Sequence, residues 1–372
     1  MTTLPQNDDL DVAKLSSVFS DTTNSYKFYW FLSILDSLQE NDNTLISYND
    51  IAVRMIANVW YPLNYFKLSF GKQDGFKQVA EFVNDKIKIN DKVNSPELFS
   101  QINSKMNEEE LKELSHRIRE LLRWVPYRFI RPYFSEETKG FPDHQVNNKI
   151  VELCNQNFKN NSQKVIYRFH ANHIELNQNW IQYFNKHQII IRGFIFWHLI
   201  KFLQKNNPNV VGLSEKLEKP QQRNLKQANT FWKDYLKENS QLKCIYTGQD
   251  ITVQNMSLDH FLPWSFVVHD KIWNIIPTPQ HINSSKNNWL PSTEHYIDSF
   301  VNTQFKAFRF HLERNNSKLL EDYTLLFGME ENQMKDLWED DFSTILKKQI
   351  LPQIQMAKNM GFNYPFIYQN SL

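Results

Sequence analysis

Apolar residues recur at intervals of three and four along most of this chain. Residues 26–38 carry them on one helical face, and Ser47 opens a second stretch with Ile51, Met55, Ile56 and Val59 aligned before Pro62 stops it. The spacing predicts further helices over 77–89 and 108–125. In the latter, Leu111, Leu114, Ile118, Leu121, Leu122 and Val125 form one stripe, ended by Pro126. Helical spacing returns over 180–203, 221–236, 293–312 and 333–359. The period shortens in VIYRF and HIEL, which predicts a short hairpin within 164–177, and CIYTGQDIT sets a Thr-Gly turn between β-prone runs. No internal repeat or low-complexity segment is present. The pattern predicts a mainly α protein: a loose polar N-terminus over 1–25, a helical recognition or partner region over 26–240, a small mixed module over 241–292, and a C-terminal helical region over 293–372 that packs on the module.

Composition narrows the classes. At 372 residues, a prior of roughly 150 residues per domain gives two or three domains, and 41% apolar residues suffice for real cores. Eight glycines make glycine-rich phosphate loops and propellers poor candidates. Charge balances, 42 basic against 41 acidic residues, so any nucleic-acid surface must come from local clustering. Two cysteines, Cys154 and Cys244, exclude a disulfide scaffold and a four-cysteine zinc site. The start lacks the basic-then-apolar pattern of a signal peptide, and the longest apolar run, 189–200, is interrupted by Arg192 and Gly193. These features predict a cytoplasmic protein with no membrane partner.

Chemistry concentrates in residues 257–291, SLDHFLPWSFVVHDKIWNIIPTPQHINSSKNNWLP. A short strand, 257–261, presents Asp259 and His260 side by side. Neighbours on a strand face opposite sides, so the two converge only where the strand bends or ends, and Pro263 supplies an ending. Residues 273–276 can form a second strand. Thr278-Pro279 reads as a helix start, and Asn283 and Lys286 then share a helical face. Strand, loop, strand and helix thus bring together an acid, an imidazole, carboxamides and an amine. Phosphodiester hydrolysis needs such a set: a carboxylate and an amide oxygen for a hard divalent cation, an imidazole to take a proton from water, and positive charge for the phosphate.

These residues resemble the HNH endonucleases of ββα-metal fold, most closely the HNH domain of RNA-guided CRISPR effector nucleases. The shared frame is Asp-His-x-x-Pro-x-Ser-Phe followed by Asp, Asn, Asn and Lys, here Asp259, His260, Pro263, Ser265, Phe266, Asp270, Asn274, Asn283 and Lys286. The resemblance implies Asp259 and Asn283 as metal ligands, His260 as general base, Asn274 as a brace that orients the histidine, and Lys286 near the phosphate, with one Mg²⁺ or Mn²⁺ per site. His281 stands about 200° around a regular helix from Asn283, so it would join the metal only through a distorted first turn. The likeness covers about 50 residues and lacks paired Cys-x-x-Cys knuckles, Thr247 standing where Cys244 would need a partner, so no structural zinc is expected. No second nuclease motif is found, so use of a guide RNA is not implied. Trp264, Phe266 and Trp273 are expected to pack under the motif rather than stack on bases.

Asparagine is abundant, 40 residues, which inflates chance matches. A second Asp-His pair, Asp143-His144, provides a control: at the positions corresponding to Asn274 and Asn283 it has Phe158 and Tyr167. The resemblance implies a DNA endonuclease, with a setting similar to effectors of bacterial antiphage defence or restriction and a regulatory or sensor protein as partner. The alternatives are an RNA-cleaving enzyme and a silent nucleic-acid-binding subunit. For the substrate backbone, Arg117, Arg119, Arg123, Arg128 and Arg131, interleaved with Trp124, Tyr127 and Phe129, form the densest basic cluster. The same residues also read as a solvated face paired with nearby glutamates.

Overall fold

Helices hold 63% of the chain and the strands are few and short. The computed structural model describes residues 4–40, 43–72, 74–90, 92–159, 165–218 and 223–369. It divides into two units, Met1–Lys219 and Pro220–Leu372.

The first unit begins with α1 (Val12–Ser17) and α2 (Tyr26–Glu40). Its start is not loose, contrary to the polar look of residues 1–25. Leu4, Leu10, Val12, Leu15, Val18 and Phe19 are all buried, and Phe19 packs with its ring centroid 4.6 Å from that of Phe28. Strand β1 (Leu45–Ser47) leads into α3 (Tyr48–Trp60), capped by the Ser47 hydroxyl accepting from the Asp50 amide. Pro62 does not stop the chain's coiling; it sits in the first turn of a wider π-helical segment, Tyr61–Tyr65. Then follow α4 (Phe76–Ile87), α5 (Ser95–Lys105), α6 (Glu108–Leu122) and α7 (Val125–Ile130). Asn107 and Glu110 form a reciprocal capping box on α6. Pro126 opens α7 rather than closing α6, because a first-turn residue has no helical partner for its missing N–H.

Helix α8 (Asp143–Lys159) precedes β2 (Tyr167–Phe169) and β3 (His173–Leu176), which pair antiparallel within the predicted hairpin; residue 164 lies outside the described residues. Strand β1 adds to β3, with Ile46 opposite Ile174, to make a three-stranded sheet. Helix α9 (Gln178–Asn206) packs with α3 against α2. Trp30, Phe31, Trp60, Tyr167 and Trp180 are among the fully buried side chains of this unit.

The second unit contains α10 (Lys226–Glu238), β4 (Met256–His260), α11 (Trp264–Val267), β5 (Ile275–Pro279), α12 (Gln280–Lys286), α13 (Thr293–Glu313), α14 (Ser317–Phe327), α15 (Glu331–Met334) and α16 (Glu339–Asn359). Its core joins Phe231 and Trp232 of α10 to Phe261, Ile276, Phe300, Tyr323 and Phe342. Helix α10 therefore belongs with the module, not with the preceding helical region as residue spacing suggested; the predicted start at residues 221–222 lies outside the described residues. The Trp232 indole donates to the Ile275 carbonyl at 3.0 Å, and Gln304 of α13 donates to the same oxygen at 2.8 Å. Asp322 of α14 accepts from the Ile272 amide at 2.8 Å and from Lys271 Nζ at 2.7 Å. Three helices thus hold the turn that enters β5. Among the described residues no helix is long and apolar enough to cross a membrane.

Candidate active site

Strands β4 and β5 pair antiparallel, with Asp259 opposite Ile276 and His260 opposite Ile275. The β5 run IIPTP is buried throughout, so it forms the floor of the site. Thr278 and Pro279 end this strand instead of starting the helix: the Thr278 hydroxyl donates to the Pro279 carbonyl and leaves α12 without a side-chain cap. Alternation along β4 places Ser257 and Asp259 on one face and His260 on the other. The two faces carry different chemistry.

On the first face α12 lies against β4. Asn283 Nδ2 donates to Ser257 Oγ at 2.8 Å and to the Leu258 carbonyl at 2.9 Å. One turn on, Lys286 Nζ donates to Asp259 Oδ1 at 3.1 Å and to the His260 carbonyl at 2.7 Å. The Tyr246 hydroxyl donates to Asp259 Oδ2 at 2.8 Å. Lys286 is wholly buried, so it does not stand at a surface for phosphate but anchors the acid and the strand end. Burial lowers its pKa, and the Asp259 carboxylate partly restores it. Tyr246, which burial pushes far above the ordinary range, lies in the turn closed by Gly248 N to Cys244 O, with Gly248 at positive φ. No sequence pattern tied this tyrosine to Asp259.

On the second face His260 Nε2 lies 2.9 Å from Asp270 Oδ1, and the Asn224 amide donates to Asp270 Oδ2 at 2.7 Å. Burial pushes the Asp270 carboxyl up, but the bonds from His260 and Asn224 outweigh it and hold the group below the ordinary carboxylate range. Beside it, burial and the neighbouring His260 bring His269 down to about 4, so that imidazole stays neutral near pH 7. Asn274 exchanges two bonds with Leu262, accepting from its amide at 2.8 Å and donating to its carbonyl at 3.0 Å, which ties the loop leaving His260. Trp264, Phe266 and Trp273 are buried packing residues.

His281 is exposed, and no bond joins it to this cluster among the described residues. The five arginines have different surroundings. Arg117 is bound to Glu113 at 2.6 Å and stacked on Phe82, Arg119 and Arg123 are exposed, and Arg128 and Arg131 line a cavity of the first unit.

The donors at β4 and α12 suit a hard cation in part. No group of three or more His, Cys, Asp or Glu residues able to hold a metal occurs among the described residues. Asp259 has four acceptor positions, two of them taken by Lys286 and Tyr246, and the two bonds of Asn283 use only its amide hydrogens. One carboxylate and one carboxamide, completed by water and phosphate oxygens, is a ligand set that Mg²⁺ or Mn²⁺ accepts. Such an ion would share Asp259 with the Lys286 ammonium.

Neither the curated proteins nor the solved structures yield a match to this chain. Residues 244–292 match the family model described as HNH endonuclease. That span holds Tyr246, both strands of the hairpin and all of α12, the elements that carry both faces of the site. The chain therefore contains a module of the HNH endonuclease superfamily, a nuclease class that acts on nucleic acid.

Proposed function

We propose that the second unit is a metal-dependent endonuclease that hydrolyses DNA phosphodiester bonds with His260 as general base. The observation that carries this reading is the 2.9 Å contact of His260 Nε2 with Asp270. A carboxylate only accepts, so Nε2 bears the hydrogen and Nδ1 keeps its lone pair for a proton from water. The hydroxide equivalent attacks phosphorus, the bond to the 3′ oxygen breaks, and the products are a 5′-phosphate and a 3′-hydroxyl. Asp270 favours the imidazolium formed on the way, and Asn274 keeps the loop after His260 from shifting. Asp259 and Asn283 would hold a Mg²⁺ or Mn²⁺ ion, which when bound supplies positive charge to the phosphate and the leaving oxygen; because β4 ends at His260, that phosphate would lie across the strand end, within reach of both faces. Lys286 and Tyr246 fix the Asp259 carboxylate through its two oxygens. A role in antiphage defence or restriction is the setting we favour, on the likeness in organisation of a nuclease module joined to a larger helical unit.

The test is incubation of the full chain with plasmid DNA and with total RNA, with and without Mn²⁺. DNA cleavage is expected, lost in EDTA and lost in His260→Ala. Cleavage by purified His260→Ala at the wild-type rate overturns the mechanism, and cleavage of RNA alone overturns the substrate.

A further inference from the structure

The first unit has an open cavity of about 780 Å³ between the turn before α2, the junction of α6 and α7, and the segment before α8. Lys27, Arg128, Arg131 and Lys139 line it, against two acids, Asp21 and Glu120. The cations are poorly neutralised. The carboxylate paired with Arg128 and Arg131 is Asp143, at 3.6 and 3.8 Å, beyond hydrogen-bond range, and its side chain is 75% exposed. Arg128 Nε is buried with no hydrogen-bond partner. Lys27 gives hydrogens to the Val18 and Asp21 carbonyls; burial lowers its pKa, the Asp21 carboxylate opposes that shift, and the nearby Arg128 and Arg131 add to it. Like charges gathered at a concave surface carry a free-energy cost that a bound anion relieves.

Aromatic surface accompanies this charge. Trp124 and Phe141 also line the cavity and are each 41% exposed, large apolar groups left open to water. The guanidinium groups of Arg123 and Arg128 lie 5.1 and 5.7 Å from the Trp124 ring. Bare phosphate would leave those rings uncovered and most of the space empty, whereas the volume is that of sites for small organic ligands, roughly 300–1,000 Å³. Rings beside guanidinium groups suit a nucleobase carrying a phosphate.

We propose that this cavity binds a nucleotide, its phosphate held by Arg128 and Arg131 and its base stacked on Trp124 or Phe141. The nucleotide is either free or an unpaired residue of a strand; both present the same chemistry. The site belongs to the first unit, so it stands or falls independently of the nuclease reading.

The test uses full-length His260→Ala, so that any cleavage proposed for the second unit does not consume the probe. Calorimetric titrations compare AMP, CMP, inorganic phosphate and a single-stranded DNA decamer. Both nucleotides are expected to bind at least about tenfold more tightly than inorganic phosphate. Trp124→Ala should bring them down towards phosphate, and Arg128→Gln with Arg131→Gln should weaken every probe by about tenfold or more. A decamer tighter than AMP assigns the site to a strand; equal affinity assigns it to a free nucleotide. Amide-exchange protection of residues 120–141 by AMP checks the location without altering the cavity. No binding of AMP or CMP at millimolar concentration, phosphate binding as tightly as AMP, or affinity unchanged in the double arginine variant overturns the proposal. Capture of a phosphopeptide with no binding of nucleotides overturns it as well.

Discussion

Replacing Lys286 by methionine isolates the pair that organises the strand–helix junction. The lysine side chain is 0% and that of Asp259 3% exposed, so neither charge is relieved by water. Methionine keeps much of the length and apolar volume but removes the ammonium. Among the described residues Asp259 is then left with only the Tyr246 hydroxyl, and the His260 carbonyl loses its 2.7 Å donor. Removing one partner of a buried pair typically costs about 3–5 kcal/mol, because the remaining charge stays buried without compensation. Removing the carboxylate charge as well, in Lys286→Met with Asp259→Asn, should recover at least about 2 kcal/mol, since the amide no longer needs a counter-charge. The assay is urea unfolding of the full chain, followed by hydrogen exchange in peptides from 220–372 so that the second unit is read separately. A cost below about 1 kcal/mol for the single variant, or a double variant no more stable than the single, refutes the reasoning.

Three further outcomes are expected. Asp270→Asn should slow cleavage by roughly 10²-fold or more and alter the pH–rate profile while leaving the unit folded, because an amide can present the wrong group to His260 Nε2; an unchanged rate and profile would remove Asp270 as a positioning residue. Burial raises Asp74 from 3.8 to about 6 despite the opposing bonds from Ser25 and Phe76. The unfolded chain therefore loses this proton first as pH rises. Stability relative to Asp74→Asn should fall by about 2 kcal/mol between pH 4 and pH 7, with a flat difference in denaturation midpoints arguing against the shift. Finally, a chain starting at residue 223 should fold, and one starting at 241 should not, since the latter lacks Phe231 and Trp232 and the donor to Ile275; circular dichroism and amide exchange distinguish the two.

The site was legible mainly as a set of residues rather than as an arrangement. Asp259, His260, Asn274, Asn283 and Lys286 follow from spacing within one strand–loop–strand–helix segment. Their bonding partners do not. The resemblance put Lys286 near a phosphate, whereas the fold buries it against Asp259, because the choice between solvent and ion pair depends on what covers α12. Tyr246 reaches Asp259 across 13 residues through a turn, a contact with no periodic signature. Asp270 could be found from its place in the motif, but not its bond to His260.

By itself the sequence determined the helical class, the position of most long helices, the hairpin within 164–177 and the order of elements in the module. These are local properties: side chains three or four apart share a helical face, and alternating ones share a strand face. Only the tertiary structure decided that residues 4–19 pack rather than dangle, that α10 joins the second unit, and that Arg128 and Arg131 line a cavity of the first unit. Each of those outcomes depends on surfaces distant in sequence, where burial and charge are set by neighbours that no local pattern encodes.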